Sequence, residues 1–315
     1  MSNKVLCLGE ALIDVVMRDD SSVEHVGGSL LNVAAGIATL GNDSSICAWW
    51  GPDERGARLA AWATDSGVAI VPGTDSAEKT AVAYAKLDAD GRATYEFDLE
   101  WNVPEIGDLG QYTHLHTGSI AATLEPGGSR VVEIARAIKP QATISYDPNI
   151  RPALMVSPEQ VRGRVEEIVE LSDLVKVSDE DLDWLYPGEP VENVMRRWIA
   201  AGPSMVVVTR GPWGAYALLA GNRDLLHIDQ MDVEVGDTVG AGDSFMAGLI
   251  SGLLKAGLLG AGEARQRLRD AGWSDVQPAL HTAVVTSGIT VSKNGAYAPA
   301  AAEVEAVQAA DPALR

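Results

Sequence analysis

With 315 residues, 46% of them hydrophobic, the chain carries enough apolar material for one large α/β domain or two small ones, and it reads as a soluble globular protein. Its 44 acidic residues against 24 basic ones leave a formal net charge of −20. That excludes a nucleic-acid surface, because phosphate binding needs clustered Lys and Arg, and it leaves positive potential to Arg151, Lys176, Arg210, Lys293 or helix termini.

Cys7 and Cys47 lie in apolar strand-like runs without CxxC spacing, the pattern of buried free thiols in a reducing compartment. No charged n-region precedes an apolar h-region, and no run approaches the roughly 18 apolar residues that span a bilayer. A cytoplasmic protein with no membrane partner is expected.

Lys4 to Leu8 is a buried strand pattern, and Gly9-Glu10-Ala11-Leu12-Ile13-Asp14 places Asp14 just past its carboxyl end, where ligands bind in open α/β sheets. A short extended segment leads to Gly27-Gly28-Ser29. From Leu30 the apolar residues Leu31, Ala34, Ala35, Ala38 and Leu40 recur at helical spacing until Gly41. Asn32 falls in the first turn, where taken alone it is an ordinary helix residue.

Ser45 to Trp50 reads as a strand, Glu54 to Ser66 as a helix and Val68 to Val71 as a strand. Two extended runs, Ala81 to Leu87 and Ala93 to Phe97, then flank Asp90-Gly91, the signal of a β-hairpin. Tyr95, Phe97 and Trp101 suit either a half-buried sheet face or a lid over a pocket.

Alternation resumes with a strand His114 to Gly118, a helix Gly128 to Ile138 and a strand Thr143 to Tyr146 that delivers Asp147-Pro148-Asn149-Ile150-Arg151. His114 and His116 share a strand face without a third ligand, so they read as structural. A helix Pro158 to Leu171 and a strand Asp173 to Ser178 lead to Asp179-Glu180-Asp181, acids favoured in a helix's first turn. A helix Val191 to Ala201, a strand Met205 to Thr209, the turn Arg210-Gly211-Pro212-Trp213-Gly214 and two short strands, Ala215 to Leu219 and Asp224 to Asp229, follow.

Next comes Val235-Gly236-Asp237-Thr238-Val239-Gly240-Ala241-Gly242-Asp243-Ser244-Phe245, running into a helix Ser244 to Ala256. Glycines 240 and 242 allow a close backbone approach, and the helix leaves its first N–H groups free at the positive end of its dipole, so the start is an anion site. Asp243 is then either the helix cap or a base that takes a proton from an attacking hydroxyl. A helix Glu263 to Arg269, another at about Ala279 to Thr290 and an Ala- and Glu-rich terminal helix beyond Pro299 close the chain. No repeat or linker divides residues 1–315, and phosphate-loop, zinc-protease and serine-hydrolase motifs are absent.

Asp237-Thr238-Val239-Gly240-Ala241-Gly242-Asp243 resembles the C-terminal motif of the ribokinase, or PfkB, family of sugar kinases, and Gly27-Gly28 followed by Asn32 resembles its N-terminal motif. Asp14, the hairpin, Asp147-Pro148-Asn149-Ile150-Arg151 and Thr209-Arg210-Gly211 fall where that family has counterparts. The resemblance implies a ribokinase-like α/β fold: a central, mostly parallel sheet flanked by helices, with a small β-sheet lid formed by about 14–27 and 78–112. It also implies ATP-dependent phosphorylation of a sugar hydroxyl, with Asp243 as general base and Gly240, Ala241 and Gly242 as anion hole. Asp14, Gly27, Gly28, Asn32 and Arg151 would then face the sugar, and Lys176, Ser178, Thr209, Gly211 and Gly214 the ATP.

Asp237 and the carbonyl of Val239, with backbone near Thr290 and Gly295, match the family's monovalent-cation (K⁺) site. The family's Asn-x-x-Glu motif, associated with Mg²⁺, appears here as Ser178-Asp179-Glu180-Asp181, so either Asp181 or Glu180 serves the metal. A homodimer through the lid is a further implication. Similarity to fructokinase-like members favours a ketohexose such as fructose. The alternatives are 2-keto-3-deoxygluconate, ribose or a nucleoside as acceptor and, in another class, a non-catalytic sugar-sensing module.

Overall fold

The computed structural model describes residues 3–18, 21–87, 93–155 and 157–314. Strand β1 (Lys4–Leu8) shows why the sheet is buried on both faces: Val5 and Cys7 enter one apolar core while Leu6 and Leu8 enter another. A continuous apolar run is what such a two-sided strand requires.

The chain then leaves the main sheet for β2 (Leu12–Arg18) and β3 (Ser21–Gly27), an antiparallel pair in which Leu12 faces Gly27 and Asp14 faces His25. Asp14 thus lies inside a strand and not in the loop after β1, and the short extended segment is β3. The cause is the β-branched run around Asp14, Ile13-Asp14-Val15-Val16, which favours extended pairing over a loop. Helix α1 (Ser29–Thr39) starts at Gly28, whose φ of +108° suits glycine.

Strand β4 (Asp43–Cys47) ends before the expected Trp50. Helix α2 (Glu54–Asp65) is capped by Asp53, and β5 (Ala69–Ile70) follows. Strands β6 (Val82–Leu87) and β7 (Ala93–Asp98) pair antiparallel, while the expected Asp90-Gly91 turn and the Tyr95 side chain lie outside the described residues. β6 pairs parallel with β2, giving a small sheet in the order β3-β2-β6-β7. Residues 99–112 do not extend it: Trp101, Val103 and Tyr112 pack with Leu6, Leu8 and Leu115 in the main body. Arg58 of α2 bonds Glu24 of β3 at 2.6 Å and ties the small sheet down.

The remaining elements are β8 (His114–Gly118), α3 (Gly127–Ile138), β9 (Thr143–Asp147), α4 (Pro158–Leu171), β10 (Leu174–Ser178), α5 (Asp179–Leu185), α6 (Val191–Ala201), β11 (Met205–Thr209), β12 (Ala215–Leu219) and β13 (Leu226–Ile228). Helices α7 (Ala241–Lys255), α8 (Ala264–Asp270), α9 (Trp273–Val291) and α10 (Ala301–Ala310) complete the chain. α7 starts ahead of Ser244, and α9 starts at Trp273 and not Ala279, running through Pro278.

The main sheet has nine strands in the order β13-β12-β11-β10-β9-β8-β1-β4-β5. Neighbours from β11 to β5 are parallel and the β12, β13 edge is antiparallel. α1, α2, α7, α8 and α9 cover one face, and α3, α4 and α6 the other. From β1 the chain builds outward through β4 and β5, then returns to β8 on the other side of β1. This reversal opens a crevice beyond the carboxyl ends of β1 and β8, the place where open α/β sheets bind ligands. Among the described residues no helix is long and apolar enough to cross a membrane.

Candidate active site

The N-termini of α1 and α7 meet over this crevice. Gly240, left-handed at φ 76°, caps α7, and a side chain there would stand 2.8 Å from Ala296. Asp243 is therefore the third residue of α7 and not its cap. Its Oδ1 accepts from Ser29 Oγ at 2.6 Å and its Oδ2 from Asn32 Nδ2 at 2.8 Å. The carboxylate is clasped by the first turn of α1, while Asn32 Oδ1 is buried without a partner.

Gly27 and Gly28 make room for what surrounds this pair. A Cβ on Gly27 would lie 2.0 Å from Asp14 Oδ2, and one on Gly28 would lie 2.7 Å from the Glu10 carbonyl. Burial pushes the Asp14 carboxyl up to about 6, against the pull of Arg151 and with a further push from Asp243. Arg151 is itself braced, Nη1 reaching Asn149 Oδ1 at 2.7 Å.

On the other side of α7, Lys176 of β10 is buried, its Nζ 2.8 Å from Asp147 Oδ2. A Cβ on Gly242 would be 3.1 Å from the same Nζ, so the ammonium lies against the backbone at the start of α7. Burial works to lower the lysine, but Asp147, Asp181 and Asp243 outweigh it and its pKa ends above the ordinary value. Burial likewise raises Asp147 to about 6, with Lys176 pulling the other way.

A helix start with a poised carboxylate, a buried cation beside it and acidic and amide groups across the crevice suits phosphoryl transfer to a hydroxyl, where positioning and charge do most of the catalysis. Residues 2–303 match the pfkB family of carbohydrate kinases. The chain belongs to that family.

It is a sugar kinase, a phosphotransferase with an alcohol group as acceptor. Over 269 residues it is 31% identical to a fructokinase of Rhizobium leguminosarum bv. trifolii, covering 81% of each chain. The structure of a fructokinase with bound ATP from Xylella fastidiosa superposes with a TM-score of 0.83 at 22% identity, over 98% of this chain and 99% of that one. A double-mutant fructokinase of Vibrio cholerae O395 in its fructose-, ADP- and potassium-bound form superposes with a TM-score of 0.78 at 24% identity, over 96% and 97%. The fold is ribokinase-like, as the sequence motifs imply.

Elsewhere in the kinase, β11 ends in Thr209, whose hydroxyl lies 3.4 Å from the Val177 carbonyl, and the β11–β12 connection holds Gly211 and Gly214 at φ 50° and 76°. It borders an open cleft of about 400 Å³ lined by Arg210, Trp213, His227, Asp229, Gln230 and Asp232 among others. Ser178 caps α5 with its side chain. Asp181 has both oxygens engaged, Oδ1 by Ile150 N–H at 2.8 Å and Oδ2 by Ser178 N–H at 3.1 Å, whereas Glu180 is exposed. Among the described residues no three His, Cys, Asp or Glu side chains converge as a metal site.

Asp237 accepts from the N–H groups of Val239 and Gly295, each at 3.0 Å, and the first of these contributes most to holding its carboxyl below the ordinary value. The Thr290 hydroxyl lies 2.7 Å from Ser244 Oγ, locking the end of α9 to the start of α7. His114 and His116 are buried around Ser145, and burial pushes both down to about 3, which keeps them neutral.

The sequence reading assigns no role to Ser29, Asp147 or Glu10. Ser29 directly follows Gly28, at the position where a helix's first side chain can reach a neighbouring helix end. Glu10 carries the clearest missed signal, a carboxylate between two apolar stretches.

Proposed function

We propose that the protein transfers the γ-phosphoryl group of ATP to a hydroxyl of a ketohexose such as fructose, with Asp243 as general base. One observation carries the reading: the Asp243 carboxylate stands one residue beyond the glycine-lined helix start and is aimed by Ser29 and Asn32. A base so placed takes the proton from a sugar hydroxyl as that oxygen attacks phosphorus. The N–H groups of Gly240 and Gly242 and the helix dipole stabilise the charge on the transferring group, the Ala241 N–H being donated to the Thr238 carbonyl at 3.2 Å, and Lys176 adds a full positive charge from the side. The fructokinase relatives support the choice of acceptor.

Asp14, Asn32 and Arg151 hold sugar hydroxyls over Gly27 and Gly28, short polar groups being suited to sharing hydrogen bonds with adjacent hydroxyls. The nucleotide lies along the β11–β12 connection, beside Ser178, Thr209, Gly211 and Gly214. Mg²⁺, when bound with ATP, supplies charge neutralisation at the phosphates. With both Asp181 oxygens already accepting backbone N–H groups, the acids at the start of α5 fit a hold through water, which Mg²⁺ commonly retains. Asp237 and the carbonyl of Val239 offer hard oxygens for a monovalent cation that stiffens the approach to the anion hole. The whole chain acts as one cytoplasmic domain with the small sheet as lid, and β3 at that sheet's edge is the surface for a homodimer.

A coupled ADP-release assay over ketoses, aldoses, 2-keto-3-deoxy acids and nucleosides, with and without K⁺, tests the reading. Fructose is expected to give the highest kcat/KM, with K⁺ stimulating turnover. Preference for a nucleoside or a 2-keto-3-deoxy acid overturns the acceptor, and ADP formation from none of them overturns the enzyme.

A further inference from the structure

Glu10 is a carboxyl at the crevice that the roles above leave unused, and unlike Asp147 it has no ion-pair partner among the described residues. It directly follows Gly9 at the end of β1, and its neighbour across the switch point is Ser119, which follows β8. Only 7% of Glu10 is exposed, its Oε2 is buried with no hydrogen-bond partner, and Ser119 is a polar neighbour that pulls the carboxyl down. Its backbone carbonyl is covered by Gly28, immediately before the Ser29 that clasps Asp243. The charged groups that act on it are Arg151, from the loop after β9, and Asp243, from α7. β2 adds Asp14 in the same electrostatic neighbourhood, since Asp14 feels Arg151 and Asp243 too. The facing turn of α1 carries no titratable side chain, only Ser29 and Asn32.

A buried carboxyl oxygen with no partner is expensive, and a chain keeps one where a ligand completes it. We propose that Glu10 is a substrate-binding residue at the floor of the sugar site, presenting Oε2 to a hydroxyl or carbonyl oxygen of the sugar. The proposal rests on the sugar-kinase reading and deepens it: it gives the acceptor a polar contact besides Asn32 Oδ1, another buried oxygen without a partner. Burial, only partly opposed by Ser119 and Arg151, pushes the Glu10 carboxyl up to about 7. Covering it with sugar removes water further and favours the uncharged acid, which both donates and accepts a hydrogen bond. Sugar binding is therefore tightest below about pH 7 and weakens as pH rises through that value.

The test uses the full-length enzyme and two variants, Glu10→Gln and Glu10→Ala. Glu10→Ala is expected to raise the sugar KM by about ten-fold or more while the ATP KM stays within about two-fold. Glu10→Gln keeps the volume and a polar head beside Ser119 but cannot ionise, so the wild-type rise in sugar KM between about pH 6 and pH 8 should flatten. What remains in that variant is the contribution of Asp14. A sugar KM unmoved in Glu10→Ala, or a Glu10→Gln profile that superposes on the wild type, overturns the proposal; should the alanine variant not fold, the glutamine profile decides. Failure of the sugar-kinase reading appears instead in the wild type, which would turn over no ketose. The same two variants are then run on whichever acceptor the screen selects, with the pH profile again deciding.

Discussion

Asp181 and Asp243 occupy the same place in their helices, the third residue of α5 and of α7, yet they are put to opposite uses. Asp181 folds back into a capping box with Ser178 and takes a second N–H from Ile150, so its charge is consumed by the backbone. Asp243 closes no such bond onto its cap Gly240, which stands in the left-handed region, whereas Asp275 of α9 accepts the N–H of its extended glycine cap, Gly272, at 2.8 Å. Its carboxylate is left to side chains of another helix, Ser29 and Asn32. What separates the two acids is the conformation of the cap three positions earlier, extended at Ser178 and left-handed at Gly240. The backbone conformation of the cap, more than its side chain, goes with whether the third-position acid turns back onto its own helix start, as Asp181 and Asp275 do, or faces another helix, as Asp243 does.

The strongest attempt to break this contrast is Asp243→Asn, which keeps the shape and the neighbours. It is expected to lower kcat by about 10²–10⁴-fold, the usual effect of losing a general base, with little change in thermal midpoint. Near-normal turnover with the preferred sugar removes Asp243 from the chemistry.

Lys176 lies between the two acids and is held charged with the help of both. Lys176→Met strands Asp147 in the interior, and breaking a buried pair from one side costs about 3–5 kcal/mol. The sign of the pH dependence follows from Asp147, whose folded-state carboxyl is raised to about 6. The stability associated with such a group is fully present below its unfolded value and lost as pH rises through the folded one. Thermal unfolding of the variant should therefore be most impaired near about pH 8 and recover toward about pH 5, as Asp147 takes up a proton. A pH-independent loss removes Asp147 as the cause. Turnover should fall as well, because the ammonium beside Gly242 is gone.

Asp181→Ala should show the reverse balance from Asp243→Asn. Two backbone N–H groups lose their acceptor, which costs about 1–3 kcal/mol of stability in total, read as a lower denaturation midpoint. The kcat at saturating Mg²⁺ should fall by less than about ten-fold, with more Mg²⁺ needed to reach it. A collapse of kcat in a fully folded variant would make Asp181 the equal of Asp243 and end the contrast.

How much of this the sequence shows depends on how local the cause is. Strands such as β11, read as Met205 to Thr209, and helices such as α4, read as Pro158 to Leu171, appear at the expected bounds because apolar runs and a proline at the helix start mark them within a few residues. The start of α7 is displaced because Gly240 and Gly242 look like a loop, while only Gly240 lies outside the helix. Asp14 is misplaced because a carboxylate interrupts the alternation that a strand reading needs, and only pairing with β3 and β6 settles it. The clasp on Asp243 joins residues 214 and 211 positions apart, and no pattern in either segment announces the other. The motifs say which residues gather at the crevice, but not that Lys176 lies against the start of α7 or that Glu10 keeps an oxygen free.

The finest distinction concerns the two residues of the clasp. Ser29 meets Asp243 through its hydroxyl alone, whereas Asn32 holds Asp243 with Nδ2 and keeps Oδ1 buried and unpaired. Ser29→Ala therefore removes an aiming contact from a carboxylate that Asn32 still grips. A neutral donor to a charged acceptor contributes about 1.5–3 kcal/mol, so kcat should drop by about ten- to a hundred-fold while the sugar KM stays put. Asn32→Ala strips both functions and should lower kcat and raise the sugar KM together. If Ser29→Ala instead shifts KM at constant kcat, Ser29 is a sugar ligand and α1 aims the base through Asn32 alone.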